Sequence, residues 1–411
     1  MQGIYRKMVN RVIILGAGQA GVQVVVGLRQ GGFDGELLLV GKETHVPYQR
    51  PPLSKQILKK EWAAERCQLR HLDFYGKHDI RLMQGLAATQ LDSSRSQLTL
   101  SDGTSWDYSQ LVICTGAVLN RLPLPGADLP AVHYLRDVDE ALALSAQLTE
   151  GARLVVIGGG YIGLEVAASA RSLGCEVTVI EAQDEVMKRS ALPEIATYLR
   201  EFHVSQGVNF KLGVGVQQLH GEETVESVEL QNGERIAADL VMIGVGVRPA
   251  IAWLEGSGVE TQRGVRVDGH CRTNISNIYA AGDVAELQHP LLDGWHVLES
   301  VQNAVSQAKL VAANVLGGSE TYSETPWFWS EQFDRRLQMA GIARQGDTLV
   351  RREHPQTGGF SIFALQDDVL HAVQSINAPR DYMVGRQLIG NRTRISETVL
   401  ADHEFNLKEL L

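Results

Sequence analysis

Two stretches of the sequence carry glycines at the spacing that lets a backbone hold a diphosphate. In VIILGAGQAGVQV (12–24) these are Gly16, Gly18 and Gly21, and in VVIGGGYIGLEVA (155–167) they are Gly158, Gly160 and Gly163. The first glycine of each set permits a tight turn after a strand. The second lets the backbone approach a pyrophosphate, and the third lets helix and strand pack closely. Free N–H groups and the positive end of the helix dipole would then face the phosphates. A motif of this kind is weak alone, and a glycine turn that binds nothing is its bland alternative. An acidic residue follows each: Glu43 lies 22 residues after Gly21, and Glu181 lies 18 after Gly163. A carboxylate there can accept both hydroxyls of an adenosine ribose. At Glu181 it would repel a 2′-phosphate, which favours NADH over NADPH; the nearby Lys188 and Arg189 count the other way. Two dinucleotide sites in one chain suggest a flavin and its reductant, because hydride transfer needs the nicotinamide stacked on the isoalloxazine.

The elements that must position these glycines follow from the apolar pattern. Residues 11–16 read as a strand, 19–30 as a helix and 36–41 as a second strand, with short strands at 97–101 and 111–115. A proline-rich loop, RLPLPGADLP, spans 121–130. A second strand–helix–strand unit begins at Arg153, about 142 residues after the first, with its helix from Ile162 to Leu173. A helix near 193–206, strands near 208–212 and 225–230, a strand at 239–248, another at 277–282 and a long helix at 297–315 complete the pattern. From Thr325 the texture changes to antiparallel strands, SIFALQ and VLHAVQSI, and a helix near 379–389. The fold class expected is α/β: two Rossmann-like dinucleotide-binding domains plus a small α/β C-terminal domain. The boundaries expected are 9–117 with 246–324 for a discontinuous FAD-binding domain, 118–245 for an NADH-binding domain, and 325–411 for the C-terminal domain.

Composition narrows the class. Of 411 residues, 44% are hydrophobic and 21% charged, ordinary for a soluble globular chain. The formal net charge of −10 argues against a general affinity for nucleic acid or an anionic membrane. No apolar run reaches membrane-spanning length, and the opening MQGIYRKMVN lacks the apolar core of a secretory signal. Met8 is a candidate natural start, and a cytoplasmic location is expected. The four cysteines, Cys67, Cys114, Cys175 and Cys271, form no C-x-x-C or C-x-x-x-x-C pair. No disulfide framework, zinc site or redox dithiol is therefore expected.

Further segments point to one group of flavoproteins. TNISNIYAAGDVA (273–285) puts Gly282 and Asp283 at the end of a strand, and ICTGA (113–117) and IGVGVRP (243–249) lie where the chain crosses between domains. With these, the sequence resembles the FAD-dependent pyridine-nucleotide reductases of the glutathione-reductase fold. RPPLSK (50–55), GGGYIGLE (158–165), ESVQNAVSQAK (299–309) and PWFWSEQF (326–333) are more specific. They resemble the NADH:ferredoxin reductases of bacterial cytochrome P450 and Rieske-type oxygenase systems, from Val12 to about Gly385.

The resemblance implies roles residue by residue. Arg50 and Lys55 would contact FAD, with Lys55 near flavin N5. Ala20, Ala88 and Arg136 would meet the adenine dinucleotide half, and Asp283 and Val301 the ribityl chain and isoalloxazine. Trp329 would lie by the flavin on the side where electrons leave. Tyr161 and Ile162 would sit at the nicotinamide entrance, Gly246 would approach the nicotinamide, and Glu165 would hydrogen-bond the carboxamide or pair with Lys55. At Lys42 many relatives have an acidic residue, so here the ribose contact passes to Glu43 or Lys42 contributes by its backbone. Bland alternatives stand beside these roles: solvated loop charges for Arg50 and Lys55, a helix-dipole carboxylate for Glu165, packing for Tyr161, and core aromatics for Trp327 and Trp329.

Disulfide reductases of this fold have a C-x-x-x-x-C pair where this chain reads YQRPPLSKQIL, without cysteine. Electrons arriving as hydride would have to leave from the flavin itself. The implied activity is oxidation of NADH and single-electron delivery to a [2Fe–2S] ferredoxin that serves an oxygenase. Lys309, Arg335 and Arg336 are the candidate docking residues for that ferredoxin, and the chain is expected to be a monomer or weak homodimer. The competing readings are a rubredoxin reductase and an NADH-sensing flavoprotein resembling apoptosis-inducing factor.

Overall fold

A computed structural model describes residues 10–356 and 358–411. The candidate start at Met8 and the first residue of the expected FAD-binding domain lie outside the described residues. The chain divides into two compact units. One comprises the residues up to Gln49 with Gln68–Val118 and Arg248–Pro326; the other comprises Arg50–Cys67, Leu119–Val247 and Trp327–Leu411.

The first unit is built on a parallel five-stranded sheet. Its order is Ile278–Ala280, Gln110–Ile113, Arg11–Leu15, Glu36–Gly41, Ile80–Gln84. Val12, Ile13, Ile14 and Leu37–Leu39 have no exposed surface, as expected of strands covered on both faces. Arg11–Leu15 pairs with Glu36–Gly41 on one side and with Gln110–Ile113 on the other. The sheet thus grows outward in opposite directions from Arg11–Leu15 and its neighbour Gln110–Ile113, which opens a crevice at their carboxyl ends. The helices Gln19–Gln30 and Val301–Val315 pack together so closely that a Cβ on Gly27 would stand 2.7 Å from Ala312 Cβ. A three-stranded antiparallel meander, Ala88–Asp92, Gln97–Leu100 and Ser105–Asp107, also belongs to this unit.

The second unit repeats that plan. Its parallel sheet runs Val208–Leu212, Glu176–Glu181, Arg153–Ile157, Leu240–Ile243, Val132–His133, again with a three-stranded meander, Val216–His220, Ser227–Leu230 and Arg235–Ala237. It also holds an antiparallel five-stranded sheet in the order Trp327–Gln332, Arg335–Gly341, Val369–Ile376, Gly359–Gln366, Thr348–His354. Helix Pro379–Gly390 lies on that sheet, with the Gly385 Cβ position 2.8 Å from Val373 Cγ1. The segment Arg50–Cys67 packs here too: Ser145 Oγ donates to the carbonyls of Ile57 and Leu58 at 3.2 and 3.1 Å.

Two elements differ from the sequence reading. The helix expected at 297–315 begins at Val301, because Ser300 Oγ accepts from Asn303 N–H at 3.0 Å and caps it, while Trp295–Val297 forms a strand. The strand expected at 239–248 stops at Ile243; the chain then bends through Gly244 and Gly246, the latter at φ +90°, before the short strand Val247–Pro249. Among the described residues no helix is long and apolar enough to cross a membrane.

Candidate active site

The two glycine loops have the same construction. Gly16 and Gly158 adopt φ +104° and +114°, and a Cβ on either would collide with a carbonyl of the neighbouring strand's end, Cys114 O at 2.0 Å or Gly244 O at 2.3 Å. Gly21 and Gly163 lie against the first glycine of their own loop, so a Cβ would stand 1.9 Å from Gly16 O or 2.0 Å from Gly158 O. The middle glycines are the exception. A Cβ on Gly18 or Gly160 would meet no atom within 4 Å, and their φ values of −92° and −78° suit any residue. The fold thus leaves both positions open, as close approach of a ligand at a helix N-terminus would require.

In the first unit Ala20 lies in the first turn of the helix after the loop, and Gly282 comes up against it. The Cβ position of Gly282, at φ +80°, is 3.2 Å from Ala20 Cβ and 3.6 Å from Ala304 Cβ. Gln307 Oε1 accepts from Gly282 N–H at 2.8 Å and fixes the turn that presents Asp283. Val301 is the first residue of its helix, so a second helix N-terminus opens in the same unit. Lys42 is exposed; Glu43 is half-buried and accepts a hydrogen bond from the Tyr48 hydroxyl. Ala88 opens a meander strand.

In the second unit Glu181 ends its strand beneath the glycine loop. Its carboxylate accepts from Gly159 N–H and Gln183 N–H, each at 2.8 Å. Lys188 pairs with Asp184, and Arg189 is exposed. Arg50 donates to the Arg136 carbonyl, and Arg136 N–H donates to Glu140 Oε2 at 2.6 Å beside the capping box of helix Val138–Gln147.

The strand Trp327–Gln332 lies along helix Tyr161–Ser172 in matched register. Two residues along a strand and four along a helix both advance about 6–7 Å, so alternate strand residues meet successive turns. Phe328 packs against Tyr161 in a tilted contact, with ring centres 4.7 Å apart. Ser330 Oγ donates to Glu165 Oε1 at 2.8 Å. Gln332 Oε1 is 2.9 Å from His203 Nε2 on the next helix. Tyr161 is held further by Met339 Sδ at 3.4 Å from its hydroxyl, and burial pushes that phenol up to about 12. Ile162, the next residue, is exposed. Trp327 and Trp329 project to the opposite face, ring centres 5.7 Å apart, with Trp327 against Tyr382 and Trp329 half-buried.

Glu165 is the most heavily bonded group here. Besides Ser330, it accepts from Lys55 Nζ at 2.7 Å, Ser54 Oγ at 2.5 Å and Glu331 N–H at 3.3 Å. All the side chains involved are buried. Lys55 and Glu165 are brought together, while Ser54 and Ser330 were missed in the sequence. Both lie inside the segments RPPLSK and PWFWSEQF, where serine is too common a residue to attract notice. Of the docking candidates, Lys309 is exposed on its helix. Arg335 is a packed residue: Nε donates to Tyr198 Oη at 2.9 Å and its guanidinium stands 4.1 Å from the Phe202 ring centre. Arg336 is exposed, 3.8 Å from Glu331.

Residues 10–308 match the pyridine nucleotide-disulphide oxidoreductase family and residues 327–411 match the reductase C-terminal family. The chain belongs to the pyridine nucleotide-disulphide oxidoreductases. It is 41% identical to rhodocoxin reductase from Rhodococcus erythropolis, over 97% of this chain and 93% of that one. Among solved structures it resembles the covalent putidaredoxin reductase–putidaredoxin complex, with TM-score 0.94 and 35% identity over 98% of each chain. It is equally close to the ferredoxin reductase for the CYP199A2 system from Rhodopseudomonas palustris, with TM-score 0.94 and 37% identity over 97% of this chain and 99% of that one. All four cysteines are free and buried, and burial raises each thiol, Cys114 up to about 12. None offers a thiolate.

Proposed function

We propose that the chain is an NADH-dependent ferredoxin reductase, oxidising one NADH and reducing two molecules of a [2Fe–2S] ferredoxin that serves a cytochrome P450 or Rieske-type oxygenase. The observation that carries this reading is the pair of glycine loops with open middle positions, in a chain whose thiols are all buried. The likeness to rhodocoxin reductase and to the putidaredoxin reductase complex supports the choice of acceptor.

Bound FAD would supply the conversion of a two-electron hydride into two single electrons. Gly16, Gly18, Gly21, Ala20 and Glu43 would hold its dinucleotide part, with Lys42, Ala88 and Arg136 as further contacts. Asp283, Val301, Arg50 and Lys55 would orient the flavin end. Gly158, Gly160 and Gly163 would hold the NADH pyrophosphate. Glu181, already fixed by Gly159 N–H, would accept the ribose hydroxyls and disfavour a 2′-phosphate, and the pairing of Lys188 with Asp184 adds to that preference. Tyr161, Ile162 and Gly246 would border the nicotinamide. Trp329 would mark the side of electron exit, and Lys309 and Arg336 are each candidate contacts for an acidic ferredoxin. We assign the enzyme to the cytoplasm, in keeping with four unpaired cysteines.

The test is reduction of cytochrome c by NADH with the purified flavoprotein, with and without a [2Fe–2S] ferredoxin. Strong ferredoxin dependence is expected. Equal rates with and without any of a panel of ferredoxins would overturn the reading.

A further inference from the structure

We infer that Ser330 is a positioning residue for the Lys55 ammonium, acting through Glu165. The inference rests on the reading above that Lys55 serves the flavin. Lys55 makes its ion pair through one carboxylate oxygen, Glu165 Oε2, which it shares with Ser54 Oγ. The other oxygen, Oε1, is held entirely by the strand Trp327–Gln332, through Ser330 Oγ at 2.8 Å and Glu331 N–H at 3.3 Å. Ser330 is fully buried, and its own hydroxyl accepts from Gln332 Nε2 at 3.2 Å, which orients the proton toward Glu165. The carboxylate is therefore clamped from two sides, and the C-terminal sheet sets where it sits. A carboxylate with four donors shares its hydrogen-bonding capacity among them, leaving more of the ammonium's field for a neighbour. Taking Ser330 away concentrates that capacity on Lys55. The ammonium is drawn in, and the negative charge that reduction adds to a flavin is less well stabilised.

The test is the midpoint potential of the FAD-loaded protein, measured by dye-coupled titration, for Ser330→Ala, Ser54→Ala, Lys55→Met and Ser330→Ala in a Glu165→Gln background. Ser330→Ala is expected to lower the potential in the same direction as Lys55→Met and by less. NADH affinity is expected to stay at the wild-type value. The Ser330→Ala shift is expected to vanish once Glu165 is Gln, an outcome that a purely structural serine would not give. Ser54→Ala removes a donor from the other oxygen and reports the same effect if Ser330→Ala folds poorly. A wild-type potential in both serine variants, or a Ser330→Ala shift that persists undiminished without Glu165, overturns the inference. If Lys55→Met itself leaves the potential unmoved, it is the placement of Lys55 at the flavin that falls.

Discussion

Glu165 Oε2 lies 2.7 Å from Lys55 Nζ, although 110 residues separate the two in the chain. Both side chains are nearly out of solvent, at 5% and 10% exposure. A pair of this kind gains little over apolar residues of the same size, because removing two charges from water offsets their attraction. Breaking it is another matter, since one charge is then left buried without its partner.

Glu165→Ala is accordingly expected to destabilise the protein by about 3–5 kcal/mol. Thermal or urea denaturation measures this. The Lys55→Met, Glu165→Leu double variant should recover most of the loss while abolishing reductase activity. A double variant as unstable as Glu165→Ala would contradict the account.

The two middle glycines give a matched pair of tests. Gly18→Ala and Gly160→Ala each meet open space and an ordinary φ, so each should cost at most about 1 kcal/mol of stability. Gly18→Ala is expected to release FAD, read from the visible absorbance of the purified protein. Gly160→Ala is expected to keep FAD and raise the KM for NADH. Gly21→Ala, whose Cβ would overlap Gly16 O, should fail to fold.

Glu181→Ala removes the carboxylate assigned to the adenosine ribose. The loss of charge-assisted hydrogen bonds should raise the KM for NADH by roughly 10–100-fold. The preference over NADPH should narrow, and FAD content should not change. An unaltered KM would remove the assignment.

His203 links stability to pH. Burial lowers its pKa from the usual 6.5 to about 4, with the bond to Gln332 opposing the shift. The unfolded chain therefore binds more protons than the folded one between about pH 4 and 6.5. The stabilising contribution is complete above 6.5 and is lost as pH falls toward 4. Going from pH 7 to 5 should cost on the order of 2 kcal/mol from this residue. The Tm of His203→Gln should depend on pH less steeply over that range than the wild-type Tm.

Much of this fold was legible because its signals are local. The glycines at 16–21 and 158–163, each between a buried strand and a helix, announce the turn regardless of what packs around them. Glu181 could be placed by its distance from its loop. What the letters did not carry was the partnership of distant elements. Nothing near Ser330 says that it will face Glu165, because that contact depends on the strand Trp327–Gln332 lying in register with helix Tyr161–Ser172. The packed state of Arg335 against Phe202 is hidden for the same reason, since charge and sequence position look identical in a docking residue and a structural one. Tyr161 is intermediate: the sequence marks it, and the structure adds its tilted packing against Phe328.

The burial of Cys67, Cys114, Cys175 and Cys271 also has a bench-side meaning. A single cysteine introduced on the surface would be the only thiol open to maleimide chemistry under native conditions. Spin labels, fluorophores or a cross-linker could then be set at Lys309 or Arg336 in turn without first stripping the protein of its native residues. The contact with an electron acceptor could be mapped position by position on an otherwise unmodified enzyme.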